Sequence, residues 1–255
     1  MHPMTIQELY NVGLHYGHKK EHSTPMTRPY VYSVRDGICI FDLEKTLEHL
    51  ETALEAVKTA AAQNKKVLFV ATKKQARGLV TALAKSVDMP YVTNRWPGGM
   101  LTNFTTIRKS LDHMLDLEKT AAAPEFAKLK KKEQKRINDE IAKLHRSFDG
   151  IKDMTNLPDM IFIIDGKSEQ IAIEEANKLG VTTIATIDSN GDPTKVDMFI
   201  PCNDDAPRGL KYVLQRVGEA ICEGQGIKFE APEELSVDTS ELTTVKKVGT
   251  TNGNL

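Results

Sequence analysis

Several chemistries are ruled out first by what the chain does not carry. Its 255 residues include only three cysteines, Cys39, Cys202 and Cys222, spread far apart. An odd, scattered set gives no disulfide framework, so reduced and mostly buried thiols are expected. No apolar run approaches the ~20 residues of a membrane span. The start "MHPMTIQELY" shows neither the apolar stretch nor the cleavage site of a secretory signal, so a cytosolic protein without a membrane partner is expected. No Gly-x-Gly-x-x-Gly turn, no Gly-Lys-Ser/Thr phosphate loop and no Gly-x-Ser-x-Gly elbow is present. A cofactor is therefore not expected, and an enzyme is disfavoured.

Charge is distributed more tellingly than its total suggests. The formal net charge is -1, yet residues 1–152 hold 25 Lys and Arg against 17 Asp and Glu, a balance of +8. Residues 153–255 hold 9 against 18, a balance of -9. The first part can meet a polyanion, and the acidic second part suits protein partners. A solvated lysine surface is the plainer alternative.

Strands and helices alternate along the chain. Thr5 and Glu8 stand at capping-box spacing before a short helix, and the following stretch "LHYGHKKEHSTPMTRP" reads as loop. "YVYSV" and "ICIFD" flank Arg35-Asp36-Gly37 as a hairpin. Leu43, Leu47, Leu50, Leu54 and Val57 make one stripe of a long helix over 43–63. The short apolar runs "VLFVA", Met160 to Ile164 and Thr182 to Ile187 read as strands covered on both faces, followed by "MFI". Helices are expected over 75–86, 170–179 and 206–223. This rhythm predicts a doubly wound parallel sheet, an α/β fold.

Residues 104–148 break the rhythm. Ile107, Leu111, Met114 and Leu117 keep helical spacing, as do Ile137, Ile141, Leu144 and Phe148, with "TAAAPE" between. Two such helices predict a protruding coiled-coil hairpin inserted into a body made of residues 1–103 and 149–224. Arg108, Lys109, Lys119, Lys128, Lys130, Lys131, Lys132, Lys135, Arg136, Lys143 and Arg146 give it a basic outer face. Residues 225–255 are poor in aromatics and predict a partly disordered tail.

Strand ends are the first place to look for a site in such a sheet. Lys73, Lys74 and Arg77 follow the first parallel strand, where cations can touch phosphate without a pocket. Asp165 and Asp188 end two strands as metal-binding carboxylates would. The loop after Asp188 spaces Asp188, Asn190, Asp192 and Thr194 like calcium ligands, but Pro193 and Phe199 occupy positions that need glycine and glutamate. Capping and turn formation explain these residues better. His15, His18 and His22, with Cys39, match no standard zinc spacing, so no metal is expected; packing or RNA contact suits them, as it does the neighbouring Arg28. In "NRWPGGMLTNF", Gly98 and Gly99 allow close backbone approach, Arg95 can hold phosphate bidentately, and Thr102 or Asn103 can cap the first inserted helix. The lone Trp96 serves as a core anchor or a stacking face, the core reading being preferred.

"RWPGGMLTNFTTIRKSL" resembles the "RWLGGMLTNF" signature of the bacterial small-subunit ribosomal protein S-two family. "GLHYGH", "NLPDMIFIID", "EANKLGV" and "TIDSNGDPTKVDMFIPCNDDA" are similar to that family's other signatures, in the same order, from about Ile6 to Glu223. The resemblance implies a flavodoxin-like body with a coiled-coil arm and a non-catalytic place on the small ribosomal subunit. It also implies binding to small-subunit ribosomal RNA, contact with neighbouring ribosomal proteins, help in recruiting the mRNA-binding S-one protein, and no independent homo-oligomer. By position it assigns RNA contact to His18, Arg95, Arg108 and Lys109; Lys73, Lys74, Gly98, Gly99, Asn103 and the lysines of the arm are candidates from charge or loop chemistry. The chain departs from the family at "KKEHSTPMTRP", where an Arg-Arg-Trp group is usual, and at Pro97, where leucine is usual. A flavodoxin-like nucleotide-binding domain or enzyme using Asp165 and Asp188 is the competing expectation.

Overall fold

A computed structural model describes residues 3–236. The chain begins with helix α1 (Ile6–Asn11), whose Thr5 hydroxyl accepts from the Glu8 amide while the Glu8 carboxylate accepts from the Thr5 amide, the anticipated capping box. Strands β1 (Tyr16–Lys19), β2 (Val31–Arg35) and β3 (Ile38–Phe41) form a small antiparallel sheet in the order β1-β3-β2. Asp36 and Gly37 both adopt positive φ in the β2–β3 turn, as a tight hairpin demands.

Strand β1 lies inside the stretch read as loop. Its sequence is polar, and what makes it a strand is tertiary. It pairs with β3 at Tyr16 and Ile40, and the His18 amide donates to Ser189 Oγ at 2.9 Å and Asp188 Oδ1 at 3.2 Å. Those acceptors come from residues 170 positions away, so no local pattern could announce it.

The body follows as α2 (Leu43–Ala62), β4 (Val67–Val70), α3 (Lys74–Ser86), β5 (Tyr91–Val92), the inserted α4 (Phe104–Ala122) and α5 (Lys131–Phe148), β6 (Met160–Ile163), α6 (Gln170–Leu179), β7 (Thr182–Ile187), β8 (Met198–Pro201) and α7 (Pro207–Gln225). All neighbouring strands of the large sheet are parallel, in the order β5-β4-β6-β7-β8. Numbered among themselves they run 2-1-3-4-5, the flavodoxin-like doubly wound order. The expected α/β body is therefore observed.

Alternating strand residues feed two cores. Val67, Phe69, Met160 and Phe162 face Leu50, Leu54, Val80, Leu83, Val213 and Val217 of α2, α3 and α7. Leu68, Val70, Ile161 and Ile163 face Ala172, Ile173 and Ala176 of α6 together with Trp96, Met100, Ile107, Leu111 and Met114. The first turns of α4 thus cover the second sheet face, rather than serving only a stripe against α5. Two polar pairs link the inserted helices, His113 to Glu140 at 3.0 Å and His145 to Glu118 at 2.8 Å. They do not trace the ladder of an antiparallel seam.

Within residues 226–236 two side chains anchor on the body: Leu235 is fully buried, and the Phe229 ring lies against Gly218 of α7. The remainder of the expected tail, residues 237–255, lies outside the described residues. No helix among the described residues is long and apolar enough to cross a membrane. Because Leu111 sits in the sheet core and Leu117 is only half-buried, Leu111→Ala should cost about 2–5 kcal/mol of stability and Leu117→Ala less than half as much, measured by urea denaturation.

Candidate nucleic-acid interface

The loop between β5 and α4 is organised by one carboxylate. Glu175 of α6 accepts from the indole Nε1 of Trp96 at 3.1 Å, from the amides of Gly99 at 2.8 Å and of Leu101 and Thr102 at 3.0 Å, and from the Thr102 hydroxyl at 3.0 Å. Gly99 stands at φ +85°, which lets its amide turn inward. Burial pushes the Glu175 carboxyl up, but the hydrogen bonds from Thr102, Trp96, Gly99 and Leu101 outweigh it and hold it below the usual carboxylate range. The backbone donors that a glycine loop would offer a phosphate are thus directed into the protein. Trp96 is 6% exposed, a core anchor. Asn103 takes the N-cap position of α4, its side chain accepting from the Thr106 hydroxyl at 2.9 Å rather than from a backbone amide.

Strand ends of the large sheet carry a second network. Lys73 Nζ lies 2.6 Å from Asp204, 2.6 Å from Asp205 and 3.5 Å from Asp165. Burial pulls the Lys73 ammonium down, but Asp204, Asp205 and Asp165 prevail and keep it charged. Burial, with Asp165 and Asp188 close by, pushes Asp204 up to about 7 against the pull of Lys73. The crevice above the β4–β6 switch point is therefore filled by the chain's own ammonium. His18 bridges Asp188 at 3.0 Å and Asp205 at 3.4 Å, and burial is outweighed by its hydrogen bond to Asp188, raising its pKa.

His18, Asp188 and Asp205 offer ligand atoms all within 4.8 Å of one another, a donor set that suits a divalent cation. His15 and His22 do not join it. The His15 ring is buried between Tyr10 and Tyr16, and His22 is exposed. Asp192 caps the turn at Thr194 instead of converging with Asp188 on a calcium position.

The remaining basic candidates separate by environment. Arg108 is half-buried, donating to the Met154 carbonyl at 3.0 Å and pairing with Asp112 at 3.3 Å. Arg28, Lys74, Arg95, Lys109, Lys130, Lys131, Lys132, Lys135, Arg136, Lys143 and Arg146 are exposed and make no ion pair among the described residues. Gly98 is exposed with open space where a Cβ would stand. Asn94 joins the loop to the end of α5, donating to the Arg146 carbonyl at 2.6 Å, while Arg77 reaches the Asn94 carbonyl at 3.4 Å.

With this arrangement in place, a family model described as "Ribosomal protein S2" matches residues 9–224. The chain belongs to the ribosomal protein S2 family. A protein named "Small ribosomal subunit protein uS2" from Flavobacterium johnsoniae is 45% identical over 241 residues, covering 92% of this chain and 95% of that one. Proteins of the same name from Dictyoglomus thermophilum and Bacteroides fragilis are 43% and 45% identical, each covering 93% of this chain and 96% and 88% of theirs. The ribosomal protein S2 match spans both inserted helices, the Glu175 clamp and the strand-end network, and it bears out the resemblance read from the ordered motifs.

Sequence reading found Arg95 and the glycine pair but missed Glu175, whose only trace was its place at the head of "EANKLGV". Glu175→Gln should leave the Leu101 and Thr102 amides short of an acceptor, cost about 2–4 kcal/mol, and shift the emission of the sole tryptophan to longer wavelength. Because the folded pKa is lowered, the clamp's contribution is present above the ordinary value of 4.5 and lost as pH falls through the folded value. Trp96 emission should therefore hold steady from neutral pH down to the carboxylate range and change only below it.

Proposed function

We propose that this member of the ribosomal protein S2 family is a structural constituent of the small ribosomal subunit in the cytoplasm. It binds small-subunit ribosomal RNA through a basic arm made by α4 and α5 and through nearby loops, and it helps recruit the mRNA-binding S-one protein. The carrying observation is the contrast among cations. Lys73 is committed to carboxylates, whereas Lys130, Lys131, Lys132, Lys135, Arg136 and Lys143 along α5 stand exposed without an acidic partner among the described residues. Such charges gain affinity by neutralising phosphates and releasing counterions, with no base code required. Catalysis is opposed by the same geometry, since the switch-point crevice is filled by Lys73 and the Gly99, Leu101 and Thr102 amides are taken by Glu175.

For the protein partner, an aromatic cleft between α1 and the small sheet is the best surface. A cavity of about 560 Å³ is lined by Tyr10, His15, Tyr16, Tyr32 and Ile40 among others. Tyr16 is 50% and Tyr32 73% exposed, and the buried His15 Nδ1 has no hydrogen-bond partner. Exposed aromatics around an unsatisfied polar atom are what a protein ligand's apolar anchor and donor would fit.

Replacing Lys130, Lys131, Lys132, Lys135 and Arg136 by Gln should lower affinity for small-subunit ribosomal RNA by more than ~100-fold at 0.1 M salt and flatten its salt dependence, with the far-UV circular dichroism unchanged. Unaltered occupancy of subunits would reduce those charges to a solvated face. Tyr16→Ala with Tyr32→Ala should instead reduce retention of S-one protein by about tenfold and leave RNA affinity alone, read by sedimentation of reconstituted subunits.

A further inference from the structure

A second polar cleft lies where α5 returns to the body. It encloses about 370 Å³ and is lined from three elements: Thr81 and Lys85 of α3, Tyr91 to Asn94 at and after β5, and His145 to Ser147 with Asp149 and Gly150 at the end of α5. Close approach builds its floor. A Cβ on Gly150 would stand 2.1 Å from the Tyr91 carbonyl oxygen, so only glycine lets the two segments meet.

Its charges are unequal in availability. The one carboxylate, Asp149, is already engaged by His145 Nδ1 at 3.1 Å and the Tyr91 hydroxyl at 3.4 Å, and His145 Nε2 is held by Glu118 at 2.8 Å. Lys85 and Arg146 are exposed and make no ion pair among the described residues. The hydroxyls of Thr81, Thr93 and Ser147 border the same space. Two cations without an ion pair among the described residues, Arg146 donating only to the Ala142 carbonyl at 3.3 Å, several hydroxyls and one acid already hydrogen-bonded by His145 and Tyr91 suit a phosphate group. Cations in the last turns of α3 and α5 also complement the helix dipoles, but that role does not require them to line one cleft with hydroxyls.

We propose that this cleft is a phosphate subsite that seats a backbone phosphate of small-subunit ribosomal RNA, continuing onto the body the basic track of α5. The inference rests on the RNA-binding reading above. Continuity argues for RNA over a free phosphate: Arg146 belongs to the same helix as Lys143 and Arg136, and Asn94 ties its backbone to the loop that presents Arg95.

The test uses the full chain with Lys85→Gln and Arg146→Gln together, and a control pair, Lys178→Gln and Lys228→Gln, that removes equal charge outside the cleft. The cleft pair should weaken binding to small-subunit ribosomal RNA by about tenfold at 0.1 M salt and lower the salt slope by about one phosphate, while the control changes affinity less than about twofold. A cleft pair indistinguishable from the control overturns the subsite; a thermal midpoint lowered without any RNA effect also overturns it and leaves a dipole role. If the parent chain shows no salt-dependent RNA binding, the broader reading fails instead, and that result is separate. Inorganic phosphate and adenosine monophosphate, titrated against the Thr93 and Ser147 amide resonances, distinguish the source. Saturation by either that ribosomal RNA does not displace overturns the RNA assignment, whereas millimolar binding that the RNA displaces supports it.

Discussion

One buried carboxylate sets the geometry on which the inserted helices depend. Glu175 gathers donors from Trp96, Gly99, Leu101 and Thr102, so the loop after β5 is tied to the neighbouring helix α6. Satisfying five donors with one ion offsets the desolvation of that ion, which would otherwise be prohibitive inside an apolar layer. Helix α4 begins at the end of this loop, and its first turns lay Ile107, Leu111 and Met114 on the sheet face. The direction in which the basic helices leave the body is thus decided by a residue that carries none of their charge.

The same economy appears at the strand ends. A doubly wound sheet offers a crevice at its switch point, and here Lys73 fills it with an ammonium held by Asp204, Asp205 and Asp165. The crevice at the strand ends is where this fold ordinarily accepts a nucleotide, and it is occupied by Lys73 and its carboxylates; the Gly99, Leu101 and Thr102 amides of the loop after β5 are likewise taken, by Glu175. What is left for a polyanion is the outer surface, where binding depends on density of charge rather than on an enclosed pocket.

Much of the body could be read from the residues because its signals are local. The hairpin at Asp36-Gly37, the stripe of α2 and the apolar runs of β4, β6 and β7 each follow from periodicity or turn chemistry within a few positions. What escaped is held by distant partners. Strand β1 is polar and becomes a strand through β3 and Ser189; the packing of Leu235 on the body depends on α3 and α7. Glu175 looked like any acidic residue in an amphipathic helix, since nothing in one sequence shows which carboxylate will find five donors. For α4 the period was right but the assignment of its partner was not fully legible, because a helical stripe does not say whether a sheet or a helix will cover it.

Charge bookkeeping illustrates the same limit in a form that bears on function. The second part of the chain has 18 acidic residues, which suggests an acidic face. Five of them, Asp165, Glu169, Glu175, Asp188 and Asp204, are buried, serving the strand-end network and the loop clamp. Much of the negative imbalance is therefore internal scaffolding, locally matched by hydrogen bonds, Lys73 and His18, and projects little field into solvent. The cations of α5 have no such internal use. Net charge near zero then coexists with a basic outer face on α5, because part of the acidic excess of the second half is buried while the cations of α5 are left outside.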